Sequence, residues 1–351
     1  MLLWKRVTES KSLRLIRMRR YQFERLALDE WEAIDRSAAA PTFFARPAWA
    51  KALADAHPYL TAWPLRCEIK PHGHAIIPLM RGSRGRFGWN VFEGMPFGSY
   101  TAILDQTNAP VTSEIAEAVV TDLLAKADAI LLNPWPLKPL RAPASIIRKL
   151  EEASVIDISG GPEQALSKMP SKSRRMVGQA RRRGVQCAIE TDEQAVDRYY
   201  ELLEDAALNR WHISSPRTSK ELLRRVAFHG KDSVEIWIAR FEGKPVAGAV
   251  ALYGSQEVLL WTTATRPGME ILRPHNLLHA EIEEHAAKRG IQWYNLGSSG
   301  GLAGVLKFKG SLGATSIEYE TIRRESLPFR AVKGLKRRFG RTSQDEPHPV
   351  V

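Results

Sequence analysis

Residues 234–265 read VEIWIARF-EGK-PVAGAVALY-GSQ-EVLLWTTAT, three apolar runs separated by short turns. The runs are Val234–Phe241, Pro245–Tyr253 and Glu257–Thr265. Val, Ile and aromatic residues dominate the outer two, which suits a pleated, half-buried surface. Glu242-Gly243-Lys244 and Gly254-Ser255 carry hairpin-turn chemistry, so the spacing predicts an antiparallel meander. Next comes the loop Arg266–Pro274, and then a helical pattern over His275–Arg289. Leu278, Ile282 and Ala286 recur there at spacing four, and Gly290 is placed to end the helix. Ile291–Leu296 returns as a strand, Gly297–Gly301 turns, and Leu302–Lys309 makes one short helix. Meander, crossover helix and parallel strand leave a splayed sheet with a helix N-terminus at its open edge, an arrangement suited to anions.

Working outward, Val155–Ile158 supplies an earlier strand, and Pro162–Gly184 is strongly basic. That segment holds Lys168, Lys172, Arg174, Arg175, Arg181, Arg182 and Arg183, with no acid after Glu163. As one helix it would place Lys168, Lys172 and Arg175 on one face and Arg174 with Arg181 on another. Such a strip either binds phosphates or is a solvated face. Asp192–Asn209 reads as an amphipathic helix capped by Thr191 or Asp192, with Tyr199, Leu202, Leu203 and Ala206 inward.

The N-terminal half, 21–150, reads as its own α/β unit. Pro47–Ala56 is a short helix. Trp63–Lys70 and Ala75–Arg81 flank a turn at Pro71-His72-Gly73, and Arg81–Arg86 is a basic loop. Thr101–Leu104, Ser113–Ala127 and Ala129–Leu132 then give strand, helix, strand, closed by the proline-rich Asn133–Pro143. This order repeats that of the later half. The expected fold class is therefore α/β, a mixed sheet flanked by helices, as two similar halves side by side. The expected division is 1–20 as a basic extension, 21–150 as a scaffold domain, 151–330 as the active domain and 331–351 as a basic tail.

Composition sets outer bounds. A chain of 351 residues with 44% hydrophobic and 26% charged residues is that of a soluble globular protein of two domains. Cys67 and Cys187 form no CxxC motif, which points to reduced thiols and a cytoplasmic protein. No apolar run approaches the ~20 residues of a membrane span, and charges interrupt the N-terminus where a signal peptide would be apolar. The net charge of +12 is concentrated at the ends, with +6 over residues 1–20 and +7 over 323–341. Residues 21–322 carry only +1. Basic ends attract RNA or anionic lipid, or are simply solvated, so tRNA and the inner membrane face are candidate partners. No helix-turn-helix, zinc-finger or RRM signature accompanies them, which ranks a non-enzymatic nucleic-acid binder last.

Several motifs together resemble a family. Tyr294-Asn295-Leu296-Gly297 followed by Lys307-Phe308-Lys309-Gly310-Ser311-Leu312-Gly313 is similar to the GNAT-superfamily acyltransferases of the FemAB-like and CelD-like branch. Arg174-Arg175 with Arg181-Arg182-Arg183-Gly184-Val185 resembles that branch's basic helix leading into a strand. Asn209-Arg210-Trp211 before Pro216 resembles its acceptor-side helix end. The resemblance spans Ser171 to Tyr319. It departs at the phosphate loop of ordinary GNAT enzymes, Arg or Gln and then two glycines two residues apart, because Arg266–Pro274 holds Gly268 alone.

This resemblance implies transfer of an acyl group from acyl-CoA, acetyl-CoA for instance, to an amine acceptor in cell-envelope or polysaccharide biosynthesis. An aminoacyl-tRNA-dependent transferase acting on a peptidoglycan precursor is the alternative. Acyl transfer needs a hydrogen-bond donor where oxyanion charge develops, a base for the incoming ammonium, and cations or a helix N-terminus for donor phosphates. The expected donor-binding residues are Thr265, Arg266, Gly268, Arg273, His275, Asn276, Lys307 and Lys309. Those expected on the acceptor side are Lys172, Arg174, Arg175, Arg210 and Trp211. Tyr294 and Asn295, at a strand end beside the crevice, are the expected catalytic pair. His212, His275, His279, Glu281 and Glu283 all remain candidates for the base. His275 and His279 have metal-ligand spacing but lack the glutamate of a zincin, so no metal is expected.

Overall fold

A computed structural model describes residues 21–69, 73–82, 89–140 and 147–339. The basic N-terminal extension, most of the basic tail, the turn at 70–72 and the loop at 83–88 lie outside the described residues. In chain order the first elements are β1 (Phe23–Arg25), α1 (Leu28–Ser37), α2 (Pro47–Ala56), β2 (Leu60–Ala62), β3 (Leu65–Glu68), β4 (His74–Ile77) and β5 (Met80–Gly82). Next are β6 (Val91–Gly94), β7 (Leu104–Asp105), α3 (Ser113–Lys126), β8 (Ala129–Leu132) and β9 (Ile147–Asp157). The basic segment forms α4 (Pro162–Lys168) and α5 (Ser171–Arg182), followed by β10 (Gln186–Glu190), α6 (Ala195–Asn209) and α7 (Lys220–Gly230). The last are β11 (Val234–Phe241), β12 (Lys244–Tyr253), β13 (Glu257–Thr265), α8 (Pro274–Lys288), β14 (Trp293–Asn295), α9 (Ala303–Ser311), β15 (Thr315–Glu325) and α10 (Leu327–Phe339).

Two compact units result, and neither is one consecutive piece of chain. Among the described residues, those within 59–150 form one with 21–38 and 319–339, while Ala39–Pro58 joins Glu151–Glu318 in the other. In the later unit the meander is present as read: β10, β11, β12 and β13 pair antiparallel in that order. β13 then pairs in parallel with β14 across the crossover helix α8, and β14 pairs antiparallel with β9. In the earlier unit β2, β5 and β6 pair antiparallel, β6 runs parallel to β8 across α3, and β8 pairs antiparallel with β15. The same strand order thus recurs in each unit. The parallel partner of β8 is Val91–Gly94, however, rather than the expected Thr101–Leu104, and Thr101 makes only an isolated bridge to Pro134.

β12 explains why the later unit folds around this stretch. From Val246 to Tyr253 every residue is buried, as expected of a central strand covered on both faces. Ala247, Ala249, Ala251 and Tyr253 enter a core cluster with Leu278, Ile282 and Ala286 of α8. Gly248 faces the other way, where a Cβ would stand 2.8 Å from the ring of Tyr199 on α6. Small residues on this strand therefore let two helices approach it.

Four local readings are corrected. The basic segment is two helices rather than one, because Pro170 separates them, so Lys168 does not share a face with Lys172 and Arg175. The helix read from Asp192 begins at Ala195, and the Asp192 carboxylate accepts the Gln194 N–H at 2.8 Å in a turn before it. Ala75–Arg81 is split by Pro78 into β4 and β5, which belong to different sheets. Gly254 is required by close approach rather than by a left-handed turn. The Ser255 N–H donates to Ala40 O at 2.8 Å, and a Cβ on Gly254 would lie 2.3 Å from Pro41 O. Glu242 and Gly243, with φ of 50° and 75°, do form the left-handed pair of a two-residue hairpin.

Candidate functional site

The site is built where β13 and β14 part. They pair only over Glu257–Leu259 against Trp293–Asn295. Beyond that point Leu260–Thr265 keeps β12 on one side and has no strand partner on the other among the described residues. The crossover loop Arg266–Arg273 leads from this open edge into α8. Arg273 is left-handed, with φ 60°, and Pro274 occupies the first helical position. Pro274 has no N–H to give, and Leu277 N–H reaches Arg273 O only at 3.4 Å. The N–H groups of His275 and Asn276 are the first that the helix presents outward, where its dipole favours an anion.

Arginines tie the loop down. Arg266 pairs with Asp205 of α6 at 3.6 Å and donates through Nε to Pro245 O at 3.3 Å. Arg210, at the end of α6, pairs with Glu270 at 3.4 Å. Arg183 donates to the Ile271 carbonyl. The expected donor residues Thr265, Arg266, Gly268, Arg273, His275 and Asn276 are therefore consecutive parts of one strand end, loop and helix start. Arg210 meets this loop too, from the residues expected on the acceptor side.

Beneath the mouth lies a buried polar row on α8. His275, His279 and Glu283 are four apart and so follow one face of the helix. The His275 and His279 rings are 6.0 Å apart, and Phe308 of α9 packs on both at 6.2 and 5.6 Å. His275 keeps part of its surface open, yet its Nε2 is buried without a hydrogen-bond partner. Burial, reinforced by the Arg210 charge and opposed by Glu270, lowers its pKa to about 4. His279 Nδ1 and Tyr294 Oη are 2.8 Å apart. Burial and then the charges of His275 and Lys309 push His279 well below the usual range. Glu283 is buried with both carboxylate oxygens unpartnered, and burial raises its pKa to about 8.

Tyr294 and Asn295 are both wholly buried. The hydroxyl of Tyr294 is engaged by His279, and burial raises its pKa far above that of an ordinary phenol. Asn295 Nδ2 donates to Glu257 Oε2 at 3.1 Å, while its Oδ1 accepts the Gly297 N–H at 2.8 Å. Side chains so engaged brace the parting of β13 and β14 rather than line an open surface. Lys309 is likewise buried, its Nζ donating to Gly297 O and Ser298 O at 2.8 Å each. Burial, opposed by the charge of Glu152, lowers its pKa to about 8. Lys307 is exposed, so the two lysines point apart as their helical spacing requires.

On α5 the basic residues divide. Arg174 turns back onto Ser167 O and Met169 O, and Arg181 pairs with Glu281 at 2.8 Å. Lys172, Arg175 and Arg182 are exposed on one face, along roughly 15 Å of helix. Trp211 is partly exposed just past α6. Sequence reasoning missed the acids that hold the loop, Asp205 and Glu270, and the burial of Glu283 and Lys309. The available signal was the pattern of α8: a helix apolar over most of its circumference buries whatever polar residues recur on it at spacing four. Among the described residues no group of three His, Cys, Asp or Glu side chains could hold a metal, and no helix is long and apolar enough to cross a membrane.

Comparison with known proteins finds likeness in sequence family and in fold. Residues 168–309 match the family described as an acetyltransferase (GNAT) domain. Among solved structures, that of FemX is similar over 91% of this chain and 99% of its own, with a TM-score of 0.65 at 10% identity. The C-terminal domain of a putative lysylphosphatidylglycerol synthetase from Agrobacterium fabrum is similar over 88% of this chain and 94% of its own, with TM-score 0.51 and 13% identity. A conserved protein of unknown function from Bacteroides thetaiotaomicron is similar over 87% of this chain and 100% of its own, with TM-score 0.54 and 12% identity. At these identities the likeness is one of fold. No curated protein matches the sequence.

Proposed function

Because residues 168–309 belong to the GNAT acetyltransferase-domain family, we propose that this protein is an N-acyltransferase that moves an acyl group from an acyl-CoA to an amine. The observation that carries this reading is the unpaired edge of β13 ending at the N-terminus of α8. An extended donor arm rich in amides can hydrogen-bond to such an edge as an added strand. Its pyrophosphate then meets the N–H groups of His275 and Asn276, with Arg266 and Arg273 beside them. A backbone N–H of Leu260–Thr265 would polarise the acyl carbonyl as oxyanion charge develops. Tyr294, Asn295 and Lys309 serve from behind by holding the strand ends and the Gly297–Gly301 loop in place. The amine enters from the side of Arg210 and Trp211. The earlier unit, in this reading, is the scaffold.

A second reading takes the donor to be an aminoacyl-tRNA. It is favoured by the single glycine of the loop and by the exposed row Lys172, Arg175 and Arg182, which suits a phosphate backbone. Calorimetry separates the two. Micromolar binding of CoA and acetyl-CoA supports the first. No heat with either up to millimolar concentration, together with tight binding of a charged tRNA, replaces it with the second.

A further inference from the structure

A bulge in β13 decides which of its backbone groups face the open edge. Arg266 N–H donates to Val246 O at 2.8 Å, and Glu257 O accepts the Gly254 N–H at 2.9 Å, so both residues face β12. Residues of an antiparallel strand turn their N–H and C=O groups to alternate edges. From Arg266 backward this turns Thr265 and Thr263 away from β12, and from Glu257 forward it turns Val258 and Leu260 away. The two runs are out of step by one residue because β13 bulges between them. Leu260 pairs with Ala251 and Thr262 with Val250, which leaves Trp261 as the extra residue. A regular strand would aim the N–H of Thr262 at the open edge; the bulge gives that place to Thr263.

Thr263 brings a second donor there. Its pairing partner Ala249 enters the core cluster shared with α8, so its side chain stands on the α8 face. It is partly exposed, and its hydroxyl makes no hydrogen bond among the described residues. Thr262 differs on each count, since its N–H faces β12 and its Oγ1 accepts the hydroxyl of Tyr199 on α6 at 2.9 Å. Leu260 adjoins the last pair with β14, and Thr265 is buried beside the loop. We infer that Thr263 gives both its N–H and its hydroxyl to the acyl carbonyl oxygen, an oxyanion hole made by one residue. This rests on the acyl-donor reading above and names the donor group within Leu260–Thr265. The amide nitrogen and Oγ of a threonine are separated by only two carbons, so a single oxygen can accept from both. A neutral amine forms the C–N bond while the carbonyl π pair moves onto oxygen, where these two hydrogens meet it. The C=O bond then re-forms and the C–S bond breaks with its electron pair leaving on sulfur. The proton released by nitrogen ends on that thiolate, so the products are an amide and a thiol, and Thr263 keeps its own proton. The N–H of Thr265 is left for the donor arm, nearer the start of α8.

Isotope-edited infrared spectroscopy tests it, with acetyl-CoA labelled at the thioester carbonyl as the probe and calorimetry establishing saturation. In wild type the carbonyl band falls to lower wavenumber on binding than in buffer, because both donors weaken the C=O bond. Thr263→Val keeps the N–H and loses the hydroxyl. About half of the fall should then vanish, while affinity for CoA, which has no carbonyl at that place, changes less than about twofold. Thr263→Ser gives the wild-type band, and so does Thr262→Val. The inference is overturned if wild type shows no fall or Thr263→Val shows all of it. It is equally overturned if Thr262→Val is the variant that loses the fall, since the bulge would then aim the other residue at the edge. No heat with CoA or acetyl-CoA up to millimolar concentration instead removes the acyl-CoA reading, and this assignment with it.

Discussion

Replacing Glu283 by Gln should change how stability depends on pH, and the size of the change follows from the burial of this one group. Glu283 has no solvent exposure and neither of its carboxylate oxygens has a partner, so the ionised form is strongly disfavoured. Its pKa rises from 4.5 to about 8. Between those values the folded protein keeps a proton that the unfolded chain releases, so stability falls as pH rises through this window. Each pH unit costs about 1.4 kcal/mol. The penalty is absent below pH 4.5, reaches roughly 3 kcal/mol at pH 7 and levels off near 5 kcal/mol above pH 8. Gln has the same shape and no charge to lose. Urea unfolding of both proteins, followed by tryptophan fluorescence from pH 5 to 8.5, should show the variant gaining on wild type by about 1.4 kcal/mol per pH unit up to about pH 7.5 and by less above it. A difference that does not vary with pH would refute the reasoning, because it would mean that the carboxyl ionises normally in the folded state.

Arg266→Ala should weaken CoA binding by about 1.5–3 kcal/mol, the range for a hydrogen bond to a charged group; calorimetry checks this. Tyr294→Phe should leave CoA affinity unchanged and lower turnover, since it removes a support of His279 rather than a contact to phosphate. If Arg266→Ala and Arg273→Ala bind CoA normally while Tyr294→Phe does not, the crevice has been read the wrong way round. Gly254→Ala puts a methyl group 2.3 Å from Pro41 O, a backbone atom that cannot step aside alone. A loss of about 1–3 kcal/mol is expected, with the greatest rise in hydrogen exchange at residues 40–58, and unchanged exchange there would contradict the packing.

Much of the later unit was legible because its signals are local. The meander shows in apolar runs and turn residues, and α8 shows in Leu278, Ile282 and Ala286. Of the residues expected to hold the donor, those from Thr265 to Asn276 fall together because they follow one another along the chain, whereas Lys307 and Lys309 come from a separate helix. What could not be read depends on contacts between distant segments. Asp205 and Glu270 look like ordinary surface acids until α6 and the loop are brought side by side. Ala39–Pro58 looks like part of the first half, yet Trp49 stacks edge-on with Trp261 at 5.3 Å and Ala40 accepts from Ser255. Tyr294 and Asn295 were placed at the correct strand end, but period-2 alternation cannot say that a strand end covered on both faces buries both neighbours.

The energies of the loop and of its floor differ enough to assign them separate tasks. Arg210 and Glu270 are each about two-fifths exposed, and Arg266 meets Asp205 only at 3.6 Å. Exposed pairs of this kind contribute roughly 0–1 kcal/mol each. A charge-assisted bond from the same guanidinium to a phosphate is worth about 1.5–3 kcal/mol. If the proposed donor brings an anion to α8, exchange of partners would run downhill, and the acids left behind would be solvated at little cost. The floor is different. Asn295 on Glu257, Tyr294 on His279 and Lys309 on two carbonyls are all buried, so breaking any one strands a polar group and costs about 1–3 kcal/mol or more. In the proposed reaction, a rim that exchanges partners over a floor that cannot would let the loop adapt to a donor that comes and goes while the strand ends stay fixed.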